Sequence, residues 1–451
     1  MRHWTTISIF SLFSIIFMQA VPMSAHCDED STWHPAPLEQ LITEALFSNQ
    51  NLQALRQKVA ALEEEIHTAG AWEDPRLGLG LVNLPTDSFD LDQEPMTQKL
   101  ITLSQKLPWF GKSDLKTQQA ALKAVKLSYT AAIQERMLIR NLSDSYYELG
   151  FTVASQAINA QQIADMDKIT QIASSRYAAG KGLQQDVLQA QVEYSRLLEE
   201  SNTLEQKRRV MEDRINALLN RDTFIPVEPP NLDHMPQQTL RASDMIQAAL
   251  ANNPELAGLR TELEMADLDT ALAEKAYYPD PDFRISYGQR DPDTAGNDRA
   301  DFVSGTIVFS LPVWAKQKQG RNKEAALKRN DAAKLQYQDL ADQLPFRINS
   351  LVTELEQIRA NYKLYRQAVV LQTEQWAESA MIAYKVGKTD FNAMMSARLR
   401  VLTMSRQEKQ YLYRYYQKLA ALEEMVGLPA AGLQTDGTTT VKGFSNSPKG
   451  E

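Results

Sequence analysis

The sequence predicts a mainly α-helical chain with a small β part, built as two copies of one unit in which a β-hairpin is mounted on a pair of very long antiparallel helices. Three observations carry that prediction. Short segments recur in the same order a little over 200 positions apart, no proline interrupts the interval between Pro108 and Pro226, and each half holds two brief runs of alternating hydrophobicity. A long helix needs that freedom from proline. A period of two marks a strand whose faces meet different surroundings.

The repeat is long. Ala45-Leu46-Phe47-Ser48-Asn49-Gln50-Asn51-Leu52 matches Ala249-Leu250-Ala251-Asn252-Asn253-Pro254-Glu255-Leu256 at a shift of 204 positions. Asp74-Pro75 returns as Asp280-Pro281, Leu107-Pro108 as Leu311-Pro312, and Tyr177-Ala178-Ala179-Gly180-Lys181 as Tyr384-Lys385-Val386-Gly387-Lys388. One structural plan is therefore used twice. The expected division is a signal peptide over 1–25, a first repeat over 26–225, a linker over 226–240, a second repeat over 241–428 and a disordered tail over 429–451.

Each element has its own warrant. Arg2 and His3, the apolar run from Ile7 to Phe17 and the small Ala20, Ser24 and Ala25 read as a secretory leader. The run falls short of the roughly 20 apolar residues of a membrane-spanning helix. Cys27 is the single cysteine, so no internal disulfide forms; as a lipid attachment site it is disfavoured by His26 before it, where a small residue is expected. Residues 38–70 read as one helix, with Leu41, Ala45, Leu52, Leu55, Val59 and Leu62 at helical spacing.

After Pro75, Leu77, Leu79 and Leu81 share one strand face and Gly78 and Gly80 the other; the partner strand carries Ile101, Leu103 and Gln105 against Thr102 and Ser104. The stretch from Lys112 to Ala179 would reach roughly 100 Å as a helix. Gly180-Lys181-Gly182 supplies the reversal, and Leu183, Ala190, Leu197, Leu204, Met211 and Leu218 form a heptad column on the way back. Pro226, Pro229 and Pro230 punctuate the halves. The second half repeats the plan, with Phe283, Ile285 and Tyr287 facing one way in one strand and Gly305, Ile307, Phe309 and Leu311 in its partner. Its turn is Gly387-Lys388-Thr389-Asp390, and Pro345 predicts a break or kink in its long tract. The strand connections, Asp87 to Glu94 and Asp291 to Asp301, are acidic and suit water.

Several function classes drop out. A net charge of −9 gives no basic footprint for nucleic acid. Five histidines lie scattered at 3, 26, 34, 67 and 234, and no glycine-rich phosphate loop is present, so the sequence offers neither a catalytic constellation nor a cofactor. Glu63-Glu64-Glu65 with His67 reads as a charged helix face. What remains is architectural. Four strands per chain are too few to close a barrel, and open strand edges are not tolerated in lipid. Their alternation is that of a barrel wall with lipid on one side and water on the other, so closure requires several copies in a ring.

Over residues 38–428 the chain resembles the TolC-like outer membrane efflux proteins. The resemblance rests on the duplication, on the junctions Gln105 through Lys112 and Ser310-Leu311-Pro312-Val313-Trp314, and on the turns from Tyr177 through Gln191 and from Tyr384 through Asp390. It implies a homotrimer in which each chain gives four strands to a 12-stranded barrel in outer-membrane lipid, above a helical tunnel reaching into the periplasm. It implies a tripartite efflux system, in which a periplasmic adaptor and an inner-membrane pump of RND type are the partners. It also implies that the tunnel end is closed at rest and opens by untwisting. Leu107-Pro108-Trp109-Phe110-Gly111-Lys112 is most similar to the branch serving heavy-metal pumps. Other cargoes, drugs or type I secreted substrates, and a periplasmic coiled-coil adaptor or scaffold are the competing expectations.

By the same resemblance Tyr177, Gly180, Leu183, Asp186, Val187, Tyr384, Gly387 and Asp390 would form the tunnel tip where the adaptor docks. The strand-to-helix junction comprises Pro108, Trp109, Phe110, Gly111, Pro312 and Trp314. Its aromatics suit a membrane-water interface or simple packing, and its prolines would end strands and start helices. Asp186 is either one member of an acidic ring in a symmetric assembly or a solvated turn residue. Met381, Met394, Met395 and Met404 are soft ligands by type and packing residues by spacing.

Overall fold

The computed structural model describes residues 35–236, 240–293 and 295–428; the leader, Cys27 and the tail lie outside them. Each half opens on a broken helix. Where one helix was expected over 38–70, α1 (Ala36–Ser48) and α2 (Gln50–Ala69) are separated by Asn49. Its backbone is extended, and its side chain accepts a hydrogen bond from the Leu52 N–H at 3.0 Å, capping α2. Asn253 does the same between α5 (Ala242–Asn252) and α6 (Pro254–Lys275), accepting from the Leu256 N–H, with Pro254 at the first helical position.

The long helices follow the prediction. α3 (Lys112–Ala178) runs 67 residues, about 100 Å, and α4 (Gln184–Leu218) returns along it. Ala190, Leu197 and Leu204 of the heptad column are buried, whereas Leu183 at the turn is exposed. In the second half α7 (Gln319–Leu364) passes through Pro345 without interruption. The irregularity lies twenty residues further on, where Tyr365–Val369 forms one π-helical turn before α8 (Val370–Lys385) and the returning α9 (Phe391–Val426). A lone proline removes one N–H from a helix that lateral packing holds elsewhere. No described helix is long and apolar enough to cross a membrane.

The four strands β1 (Arg76–Val82), β2 (Gln98–Lys106), β3 (Pro281–Gln289) and β4 (Phe302–Phe309) form one antiparallel sheet in chain order. Leu77 stands opposite Leu103, Leu103 opposite Ile285, and Phe283 opposite Ile307. Directly opposed residues share a face. The predicted apolar rows of all four strands therefore merge into one surface.

The main core lies midway along the shaft. Leu142, Tyr146 and Leu149 of α3, Ile215 of α4, Leu344 and Ile348 of α7, and Leu412, Tyr415 and Leu422 of α9 are all buried there, with α1 and α5 packed outside them. The expected linker is a packed strap. Val227, Pro230 and Met235 are buried in it, Tyr413 donates to the Pro230 carbonyl, Tyr416 to that of His234, and Arg366 to that of Asp233. Gly150 on α3 makes room for it, because a Cβ there would come within 2.5 Å of a Pro230 ring carbon and 2.4 Å of the Tyr413 ring.

Candidate functional site

Three features are built outward from this core. The first is the sheet face. Leu79, Ile285 and Val303 are 76%, 62% and 76% exposed, and Leu77, Leu81, Ile101, Leu103, Phe283, Tyr287, Ile307 and Phe309 are exposed beside them. The opposite face carries mostly small and polar residues, Gly78, Gly80, Thr102, Ser104, Ser286, Ser304 and Thr306, with Leu100, Phe302 and Val308 among them. An apolar surface spanning every strand is not tolerated in water; with small and polar residues behind it, it suits a wall between lipid and an aqueous lumen. The sheet is also open, since β1 and β4 each have a neighbour on one side only.

The second feature is the junction beneath the sheet. The Trp109 N–H donates to Asp280 Oδ1 at 2.8 Å, and its indole stacks on Tyr278 with ring centroids 5.4 Å apart. Lys112 Nζ reaches Asp280 Oδ1 at 2.7 Å and the Tyr278 carbonyl at 2.8 Å. Burial raises the Asp280 carboxyl, but the bonds from Lys112 and the Trp109 N–H outweigh it and hold the group below its ordinary value. Gly111, with φ +81°, supplies the left-handed residue ahead of α3. Trp109 thus packs, while Phe110 and Trp314 are 86% and 70% exposed at the base of the apolar face. Neither proline starts a helix: Pro108 stands four residues before α3, and Pro312 seven before α7, with turns over 313–318 between.

The third feature is the far end of the shaft, where the two repeat turns meet. Gly180 and Gly387 adopt φ +68° and +75°, values that side-chain-bearing residues rarely take. Asp390 caps α9 by accepting from the Ala393 N–H at 2.7 Å. Tyr177 and Leu183 are exposed, and Val187 packs against a buried cluster of Met166, Ile169, Ala173, Ala190, Met381, Phe391, Met394 and Met395. The thioethers of Met381, Met394 and Met395 are packing groups. Asp186 is not a solvated turn residue: it is buried and receives the Tyr384 hydroxyl at 3.4 Å. Burial, with Asp186 beside it, pushes that hydroxyl above its ordinary pKa, so it remains a donor.

Sequence reasoning missed Arg176. Its guanidinium donates to the carbonyls of Tyr384 and Lys385, both at 2.8 Å, and to that of Lys181 at 3.0 Å, and sits 4.7 Å from the Tyr384 ring centroid. It fastens the first turn to the second. A signal existed, because the equivalent position in the second repeat is Ala383. Among the described residues no group of three or more His, Cys, Asp or Glu could hold a metal ion.

Comparison with known proteins agrees with this geometry. CzcC of Cupriavidus metallidurans, described as a cobalt-zinc-cadmium resistance protein, is 26% identical over 264 residues, 57% of this chain and 60% of that relative. The solved outer-membrane channel OprN superimposes with a TM-score of 0.74 at 16% identity, over 87% of this chain and 90% of that one. VceC, an outer membrane protein of Vibrio cholerae, gives 0.73 at 18% identity, over 87% and 96%. Residues 41–221 and 245–428 match the sequence profile described as outer membrane efflux protein. The chain belongs to the outer membrane efflux protein family, whose members are outer-membrane channels with a periplasmic helical tunnel and not enzymes.

Proposed function

We propose that three copies of this chain form the passive exit duct of a tripartite efflux system for heavy-metal cations. The observation that carries the reading is the open sheet with an apolar face across all four strands: one copy can neither bury that face nor satisfy its edges, and a closed ring of copies in lipid does both. The cargo follows from similarity to CzcC and from the Leu107-Pro108-Trp109-Phe110-Gly111-Lys112 junction. The proposed division is the one expected from sequence, with two repeats over 26–225 and 241–428.

At the tip, Tyr177, Leu183 and Val187 with Gly180, Tyr384, Gly387 and Asp390 form the docking end for a periplasmic adaptor, behind which stands an inner-membrane pump of RND type. Exposure of Tyr177 and Leu183 at a turn held by Arg176 supports that reading. The bonds from Tyr384 to Asp186 and from Arg176 to the second turn are suited to holding the end closed at rest.

Deleting the gene and measuring growth on cobalt, zinc and cadmium, and separately on drugs, tests the cargo. Sensitivity to the metals, restored by the intact chain, is the expected result. Sensitivity to drugs alone would assign a drug duct, and a protein secretion defect a type I duct. Recovery as a water-soluble periplasmic monomer would point to an adaptor or scaffold and end the duct reading.

A further inference from the structure

The relation between the two hairpins can be applied once more. Leu77 and Phe283 lie 206 positions apart, and Leu103 and Ile307 lie 204 apart. The pair Leu77 with Leu103 in the first hairpin corresponds to the pair Phe283 with Ile307 in the second, so hydrogen-bonded register, and not sequence alone, fixes the correspondence. A single internal seam joins the hairpins, from β2 to β3, with Leu103 opposite Ile285 and Gln105 opposite Phe283. Carried forward, β4 takes the place of β2 and the β1 of another copy takes the place of β3.

We propose that β4 pairs antiparallel with β1 of a second copy of this chain in one register: Phe309 opposite the partner's Leu77, Ile307 opposite the partner's Leu79, and Gly305 opposite the partner's Leu81. The inference rests on the ring-assembly reading and adds its residue pairing. The register continues the apolar surface across the seam without a step. On the inner face it sets the larger Val308 and Thr306 opposite the partner's Gly78 and Gly80. A slip of one residue would turn Leu77, Leu79 and Leu81 into the lumen.

A second set of unpaired groups fits the same operation. The internal seam is locked below the sheet by Lys112 on Asp280 and Trp109 on Tyr278. The positions 206 before Asp280 and Tyr278 are Asp74 and Trp72, both exposed. After β4 the chain carries Trp314, Lys316 and Lys318, also exposed. Among the described residues the structure shows no ion pair or ring contact for any of the five. Between copies, the basic turn meets the partner's Asp74 and Trp314 lies near the partner's Trp72, so the lock is repeated at the outer seam with the charges complementary.

Cysteine pairs in the full-length protein, oxidised in outer-membrane preparations, test the register. Directly opposed strand positions have Cα separations of about 4.5–5.5 Å, inside disulfide range, whereas diagonal positions lie at about 7–8 Å. Ile307→Cys with Leu79→Cys, and Thr306→Cys with Gly80→Cys on the inner face, should give covalent dimers and trimers. Ile307→Cys with Leu81→Cys and each single variant should give less than about a tenth as much. Asp74→Lys should lower the trimer fraction several-fold, and Lys316→Glu with Lys318→Glu in the same chain should restore it. Crosslinking preferred at the diagonal pair, or at neither opposed pair in protein that migrates as a trimer, overturns the register and leaves the ring standing. Wild-type protein that stays monomeric in its native membrane overturns both.

Discussion

The sheet and the mid-shaft core put the same kinds of side chain to opposite use. Around Leu142, Tyr146 and Leu344 the large apolar groups point inward, and a strap, two short helices and four long ones close over them. In the sheet, Leu77, Leu79, Ile285 and Ile307 point outward and no described element covers them. The core draws its stability from its own chain, whereas the sheet, on the reading proposed above, draws on lipid and on neighbouring copies. Substitutions that weaken one should therefore leave the other nearly untouched.

The largest effect is expected in the core. Leu142 is fully buried, and Leu142→Ala should lower the stability of the helical shaft by about 3 to 4 kcal/mol, read as a fall in the thermal midpoint of far-ultraviolet dichroism. An unchanged midpoint would show that the core is looser than its burial implies. In the sheet, Leu79→Arg should cost insertion by about 2 to 4 kcal/mol at the bilayer midplane. Outer-membrane yield should fall while the helical melting curve in detergent stays in place; a shifted curve would break the comparison. Gly150→Ala is expected to cost about 1 to 3 kcal/mol, because its methyl overlaps Pro230 and Tyr413. Faster proteolysis near the strap would report it, and wild-type resistance would argue against a packed strap.

The smallest effect is one of pH, and its sign differs between the regions. Asp280, at the base of the sheet, is held below its ordinary pKa, so its contribution is present at neutral pH and is lost as pH falls below the usual carboxylate range. Asp144, on α3 beside the core, is raised by burial against the opposing pull of Arg140 and Arg214. Its folded pKa lies above the unfolded one, so acidification through the range between them favours the fold. Stability measured from pH 7 to pH 3 should thus show the core gaining slightly before the junction loosens. Asp144→Asn should abolish the gain, and a gain that survives it would assign the effect elsewhere.

Much of this fold could be read from the sequence because its elements follow simple periods. The strands, their facing, the glycine turns and the hundred-ångström helices all follow from local pattern. What escaped notice depends on the other repeat or on a single cap. Asn49 breaks a helix whose apolar spacing continues across the break, so periodicity passes over it. The strap reads as a linker in the sequence because its prolines are a local signal, whereas its partners, Tyr413 and Tyr416, lie more than 180 residues away. Arg176 finds its acceptors on the second turn, more than 200 residues away. Asp186 stands out by motif, but its burial against Tyr384 depends on the second repeat.

The wide π turn at Tyr365–Val369 bears on the far end of the shaft. It holds one more residue than a regular turn of the same rise, so it takes up that residue locally and keeps α8 in the angular phase of α7. A deletion within it would be absorbed by closing it to a regular α turn, whereas removing one residue from the regular helix of α8 would rotate everything after the cut by about 100° about the helix axis. Tyr384 and Gly387 would swing out of line with Arg176, and the two turns would part without any change to the residues that join them.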